Sequence, residues 1–223
     1  MAAEQKTPVH KYWEKKWTDG AVDAAVYPLK LIDYDALRGK RVLEVGCGEL
    51  ECSPSRHADM ELVGVDISMT ALRGSRRHNP AASLLRADAR YLPFPNNSFD
   101  CVIANETLSW LGEEVFIGLG EVARVCKPGG RCMFTLKHIE IASHHRKLPE
   151  DMRIGGYAVA KVDKDRGVVL LSENIVKEAM KRLNLEEVRF VALSNMEIAA
   201  LFGEISEDRS GKKEGIFVDA VKE

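Results

Sequence analysis

Apolar residues in this chain come in short runs broken by charge, glycine and proline, and the runs alternate between two periods. Val42, Leu43 and Val45 read as a strand buried on both faces, ending in the turn Gly46-Cys47-Gly48. Leu62 to Asp66, Ala82 to Ala87, Cys101 to Ala104 and Arg131 to Leu136 predict four more strands, and Glu187 to Ala192 and Ile216 to Val221 predict two at the C-terminal end. Helical spacing fills the gaps. Val9 to Trp17 places Trp13 and Trp17 on one face, and Ser68 caps a helix over Met69 to His78. Glu113 to Cys126 has apolar residues at 115, 119, 122 and 126. Ser172 opens a helix to Leu183, and Ser194-Asn-Met-Glu197 is a capping box for one that Gly203 ends. A short crossover helix is expected from Pro54, because proline is tolerated in a first turn. Val159 to Leu171 alternates as a hairpin around Asp163 to Gly167. Strand and helix in alternation predict an α/β fold with a largely parallel sheet.

The turn after the first strand is where chemistry is expected. Glycines at 46 and 48 allow positive φ and let main chain approach a ligand with no Cβ between. A dinucleotide fingerprint would need a third glycine and a welcome for pyrophosphate, yet the turn continues as Glu49-Leu50-Glu51. Two carboxylates repel a phosphate and favour a cationic ligand. Asp66 ends the second strand 18 positions beyond Gly48, the spacing at which such a fold sets a carboxylate on ribose hydroxyls. Asn105 and Glu106 follow the fourth strand, where open α/β sheets take their ligands. Glu106 either meets a cationic group there or caps a turn. His138, just past the fifth strand, is the general-base candidate, with a loop hydrogen bond as its alternative.

Glu44-Val-Gly46-Cys-Gly48, Leu92 to Asp100 and the run Glu121 to Gly130 together resemble the class I S-adenosylmethionine-dependent methyltransferases, in particular the type 11, ubiquinone- and menaquinone-biosynthesis-like group. The resemblance covers residues 40 to 136, and 172 to 223 as topology. It implies a Rossmann-like seven-stranded mixed sheet of order 3-2-1-4-5-7-6, last strand antiparallel, with helices on both faces. It implies S-adenosylmethionine as cofactor, held by Glu44, Gly46, Cys47 and Gly48, with Asp66 and Ile67 at the ribose and Asp88 and Ala89 at the adenine. Asn105 would join them, and Tyr12 and Trp17 on the N-terminal helix would cover the cleft. His138 and Glu106 are the catalytic candidates. The chain departs from the family at Leu50, where a further glycine is usual, and at Leu108-Ser109-Trp110, where a histidine is common.

Composition narrows the partners. With 223 residues, 45% hydrophobic and 30% charged, the chain suits one domain with a core of its own. Within it, residues 1–38 would be N-terminal cap helices, 39–136 the cofactor half, 137–171 a substrate-side insertion and 172–223 the C-terminal half. A net charge of −2 gives no case for nucleic acid. Five cysteines, an odd number without a C-x-x-C pair, fit a reducing, cytoplasmic setting. No metal site is expected, since the adjacent His144 and His145 lack a third ligand. The N-terminal stretch is too polar for a signal peptide, and no run is long enough to span a membrane. The expected partner is a small-molecule acceptor with an O, N, S or C nucleophile, met by a monomer or homodimer. A protein or nucleic-acid methyltransferase, a silent cofactor-binding protein and a nicotinamide enzyme are the alternatives.

Overall fold

The structure, a computed structural model, describes residues 8–20, 31–50, 59–138, 157–163, 166–194 and 213–223. Helix α1 (Pro8–Thr18) precedes strands β1 (Arg41–Val45) and β2 (Glu61–Asp66). Helix α2 (Met69–His78), β3 (Ser83–Arg86) and β4 (Phe99–Ala104) follow, then a 3-10 stretch (Leu108–Glu114), α3 (Val115–Val125) and β5 (Cys126–His138). A hairpin of β6 (Tyr157–Asp163) and β7 (Arg166–Leu171) leads to α4 (Glu173–Arg182), β8 (Leu185–Ser194) and β9 (Lys213–Lys222).

Strands β3, β2, β1, β4 and β5 lie side by side in that order, all parallel. β9 runs antiparallel along residues 131–137 of β5, and β8 antiparallel along β9. Leaving out the hairpin, this is the expected order 3-2-1-4-5-7-6, with β8 and β9 as its sixth and seventh strands. The hairpin is extra. Its β7 pairs parallel with β5 at Lys137 and His138 alone; because Lys137 also pairs with Gly215 of β9, β7 lies on the opposite edge of β5, the one that β4 leaves after Phe134.

Alternation along the strands builds a core on each face. Leu43, Val45, Val63, Val102 and Phe134 pack with Val115, Leu119 and Val122 of α3 and Val176 and Met180 of α4. Val42, Leu62, Cys101, Ile103, Met133 and Phe217 pack with Leu72 of α2 and with Leu37 and Leu50. Each fully buried Val or Leu contributes about 1.5 to 3 kcal/mol, so burial on both faces holds the sheet between its helices.

The predicted α3 begins later than its pattern, at Val115, because Gly112 (φ 60°, ψ −133°) interrupts the helix and leaves Leu108–Glu114 in 3-10 turns. β5 begins earlier, at Cys126, directly on the end of α3. Gly129 at φ 73° turns the chain inside the strand, and pairing with β4 shifts between Phe99 and Cys101 to absorb it. The crossover helix expected from Pro54, the helix after Ser194, His144 and His145 lie outside the described residues.

Candidate functional site

The carboxyl ends of β1, β2 and β4 meet at one edge, and the Gly46-Cys47-Gly48 turn lies between the first two. Both glycines need their lack of a side chain. Gly46 has φ 67°, and a Cβ there would sit 2.1 Å from Thr107 Oγ1; Gly48 has φ 54°, and a Cβ would sit 3.0 Å from the indole of Trp17. Leu50, in place of the further glycine, also takes positive φ (47°) and buries its side chain in the α2-side core. A leucine pays strain there, and its burial offsets that.

Asp66 locks the turn to β2. Its Oδ2 accepts the Gly48 N–H at 3.0 Å and its Oδ1 the Ser68 N–H at 2.8 Å. Each carboxylate oxygen has two lone pairs, so both retain capacity for a ligand hydroxyl. Burial pushes the Asp66 pKa up to about 6, against the pull of backbone N–H donors from Ser68, Gly48 and Ile67. Glu44 is buried, accepts no hydrogen bond from a described residue, and is pushed by desolvation to about 8. Both carboxylates lie near enough to Cys47 to raise its buried thiol further, which keeps that thiol protonated and unreactive. Two buried acids beside a main-chain cradle, with no cation paired to them among the described residues, suit a cation with hydroxyls better than a phosphate, since a cation draws Glu44 towards its ionised form. The cradle, the acids and the remaining lone pairs of Asp66 fit a cationic nucleoside.

Helix α1 closes over this turn. Trp17 lies on Gly48, and Glu14 reaches across to α2, where its carboxylate accepts from Ser68 Oγ (2.9 Å), Met69 N–H (2.8 Å) and Thr70 Oγ1 (2.7 Å). Those bonds hold the Glu14 carboxyl below the usual carboxylate range despite the opposing effect of burial. Nothing in the sequence marks this contact, because its partners are more than fifty residues apart. Tyr12 packs edge-on against Trp13 at 5.2 Å and beneath Lys16 Nζ at 5.6 Å.

The other named residues divide. Asn105 lies at the end of β4, its Oδ1 accepting from Thr135 Oγ1 at 3.3 Å. Thr107, two residues on, donates to Val45 O at 3.2 Å and so ties this loop to the turn. Nothing in the sequence marks it as a site residue, because only the missing Cβ of Gly46 makes room for it. Glu106, at φ 50°, pairs with Lys137 Nζ at 2.9 Å. Asp88 is turned back on Arg90, whose guanidinium holds its carboxyl below the usual range, though burial opposes it, and Arg90 also pairs with Glu114. Ala89 packs against the core beside α3. His138 is buried within the end of β5, its Nε2 3.9 Å from Glu173 Oε1. Residues 44–48, 66 and 105–107 thus form one constellation, with α1 across it, while Asp88 and His138 have partners of their own.

Among the described residues no group of three His, Cys, Asp or Glu could hold a metal ion, and no helix is long and apolar enough to cross a membrane.

Residues 43–134 match the family model of a methyltransferase domain. The chain is 34% identical over 118 residues to a demethylmenaquinone methyltransferase of Renibacterium salmoninarum, covering 52% of this chain and 46% of that protein. It is 36% identical over 104 residues to a fatty-acid O-methyltransferase of Mycolicibacterium smegmatis, covering 44% and 38%. The chain therefore spans less than half the length of these two curated relatives. Among solved structures, a 1,6-didemethyltoxoflavin-N1-methyltransferase of Burkholderia thailandensis, with 1,6-didemethyltoxoflavin and S-adenosylhomocysteine bound, superposes with a TM-score of 0.69 at 14% identity, covering 100% of this chain and 93% of that one. At that identity the likeness shows the fold.

Proposed function

We propose that this chain, whose residues 43–134 match the model of a methyltransferase domain, is a class I enzyme that moves a methyl group from S-adenosylmethionine to an oxygen, nitrogen, sulfur or carbon nucleophile of a small molecule. One observation carries the reading: a positive-φ glycine turn is tied by its own N–H to a buried acid of the next strand, with a second buried acid, Glu44, behind it. The cofactor supplies an electrophilic methyl on a positively charged sulfur. Everything else is asked of the chain. Gly46, Cys47 and Gly48 give the main-chain cradle, Asp66 with the Ile67 main chain grips ribose hydroxyls, and Glu44 balances the positive charge. Asn105 borders the same edge, and Trp17 excludes water by covering Gly48, with Tyr12 one turn back on the same helix. Asp88 and Ala89 would reach the adenine once Asp88 leaves Arg90.

Because the leaving group departs neutral, alignment and dryness supply most of the acceleration, and few side chains must transfer a proton. Glu106 is the nearer of the two catalytic candidates to the turn, one residue from Thr107. His138 reaches the reaction only if its contact with Glu173 opens. The whole forms a single domain in this reading. A reducing, cytoplasmic setting belongs with it, since Cys47, Cys101, Cys126 and Cys132 all stand as thiols. Calorimetric titration with S-adenosylhomocysteine and with NAD is the test. Binding of the former alone is expected, and binding of NAD alone would end the proposal.

A further inference from the structure

A second cluster adjoins the turn and has no role in holding the cofactor. Lys137, at the end of β5, pairs with Glu106 at 2.9 Å, with side chains only 26% and 14% exposed. Its Nζ lies 5.8 Å from the ring centre of Trp110, and Trp110 meets Trp13 of α1 edge-on at 5.3 Å. Three separate elements bring these side chains together, and two of them also touch the cofactor turn. Glu106 precedes Thr107, which bonds to Val45 O; Trp13 shares its helix with Trp17, which lies on Gly48. β7 packs against the 3-10 stretch that carries Trp110, so the hairpin backs the same wall.

An ammonium is strongly hydrated, and holding it half-buried beside an indole costs desolvation that one carboxylate partly offsets. The chemistry such a grouping recognises is a flat ring for the indoles and a negative oxygen for the ammonium. We infer that Lys137, beside Trp110 with Trp13 behind it, is the acceptor subsite for a planar aromatic compound with an ionised oxygen, a phenolate or enolate. This rests on the methyl-transfer reading for its purpose. With the oxygen already anionic, the new O–C bond takes an oxygen lone pair while the S–C pair stays on sulfur; the charges of phenolate and sulfonium cancel. No proton remains to be removed. That accounts for Leu108-Ser109-Trp110 standing where a histidine base would otherwise be useful. Glu106 holds Lys137 until the acceptor's oxygen competes for it.

The test uses 4-nitrophenol, whose ionised form absorbs visibly, titrated into the cofactor-free full chain with tryptophan fluorescence as the second readout. The phenolate should bind at least about tenfold more tightly than nitrobenzene, the worth of one charge-assisted hydrogen bond. Lys137→Met should abolish that preference, Lys137→Arg should keep it, and Glu106→Gln should strengthen phenolate binding by freeing the ammonium. Equal affinity for the phenolate and nitrobenzene overturns the inference, as does an unaffected Lys137→Met variant of native circular dichroism. Decanoate binding as tightly as the phenolate removes the planar class. A parallel titration with S-adenosylhomocysteine separates the two readings. If it binds while the phenolate does not, only the acceptor assignment falls; if it fails to bind, the methyl-transfer reading falls whatever the phenolate does.

Discussion

Glu44→Gln offers the most direct measurement of why a buried acid sits behind the glycine turn. With its pKa raised from 4.5 to about 8, Glu44 is roughly nine-tenths protonated at pH 7. A sulfonium and an ammonium beside it favour the ionised form, so cofactor binding must expel that proton. The expected release is about 0.9 proton per ligand at pH 7, and it should vanish near pH 9, where Glu44 is already ionised. In affinity, expelling the proton at pH 7 costs about 1.4 kcal/mol, the value of one pKa unit, so binding should tighten about tenfold from pH 7 to pH 9. Titration calorimetry with S-adenosylmethionine in buffers of different ionisation enthalpy counts the protons. The ligand's own amine titrates equally with both proteins, so the difference between wild type and the isosteric glutamine isolates Glu44. An identical proton count in the two would refute the reasoning. Stability follows with the opposite sign. A folded pKa above the unfolded one gives stability that is complete below about pH 4.5 and lost as pH rises through about 8. Glu44→Gln should therefore melt increasingly above wild type as the pH is raised across that window, by up to several kcal/mol.

Three further outcomes are expected. Asp66→Ala should weaken binding of S-adenosylhomocysteine by about 1 to 3 kcal/mol, read by calorimetry, since it removes a charged acceptor and releases Gly48; unchanged affinity would take Asp66 out of the site. Gly46→Ala should lower the melting temperature sharply, because the new methyl meets Thr107 Oγ1 at 2.1 Å and φ stays positive; adding Thr107→Gly should recover the steric part and leave a residue of about 1 to 2 kcal/mol. Glu14→Ala should cost about 0.5 to 2 kcal/mol as a lost helix cap and speed tryptic cleavage within α1. Equal cleavage rates would show that the carboxylate does not hold the helix down.

Much of this was legible from periodicity. Met69–His78 with its Ser68 cap and the Val159–Leu171 hairpin follow from local pattern, because each is set by burial at period 2 or 3.6 and by a cap or turn close in sequence, whereas the strand order came from the family resemblance and not from periodicity. The turn and Asp66 were legible for the same reason, sitting at strand ends with a fixed spacing. What pattern could not supply were contacts whose partners are distant along the chain. Glu14 on α2, Thr107 in the space beside Gly46 and Lys137 on Glu106 are each ordinary polar residues in sequence, and only the closing of the sheet brings them to the mouth. The ends of α3 and β5 shifted because Gly112 and Gly129 take positive φ, a backbone choice that hydrophobic spacing does not encode.

β5 carries β9 on one edge as far as Lys137, while its other edge holds β4 up to Phe134 and then β7 at Lys137 and His138. Closure of the sheet and shaping of the acceptor wall are thereby handed to different ribbons. With β9 held on the opposite edge, a hairpin that kept the buried Val168, Val169, Leu170 and Leu171 but carried a different outer strand could be grafted at 157–171 with β9 still in register, so that in the methyl-transfer reading one cofactor half could be refitted to new acceptors by exchanging the outer strand alone.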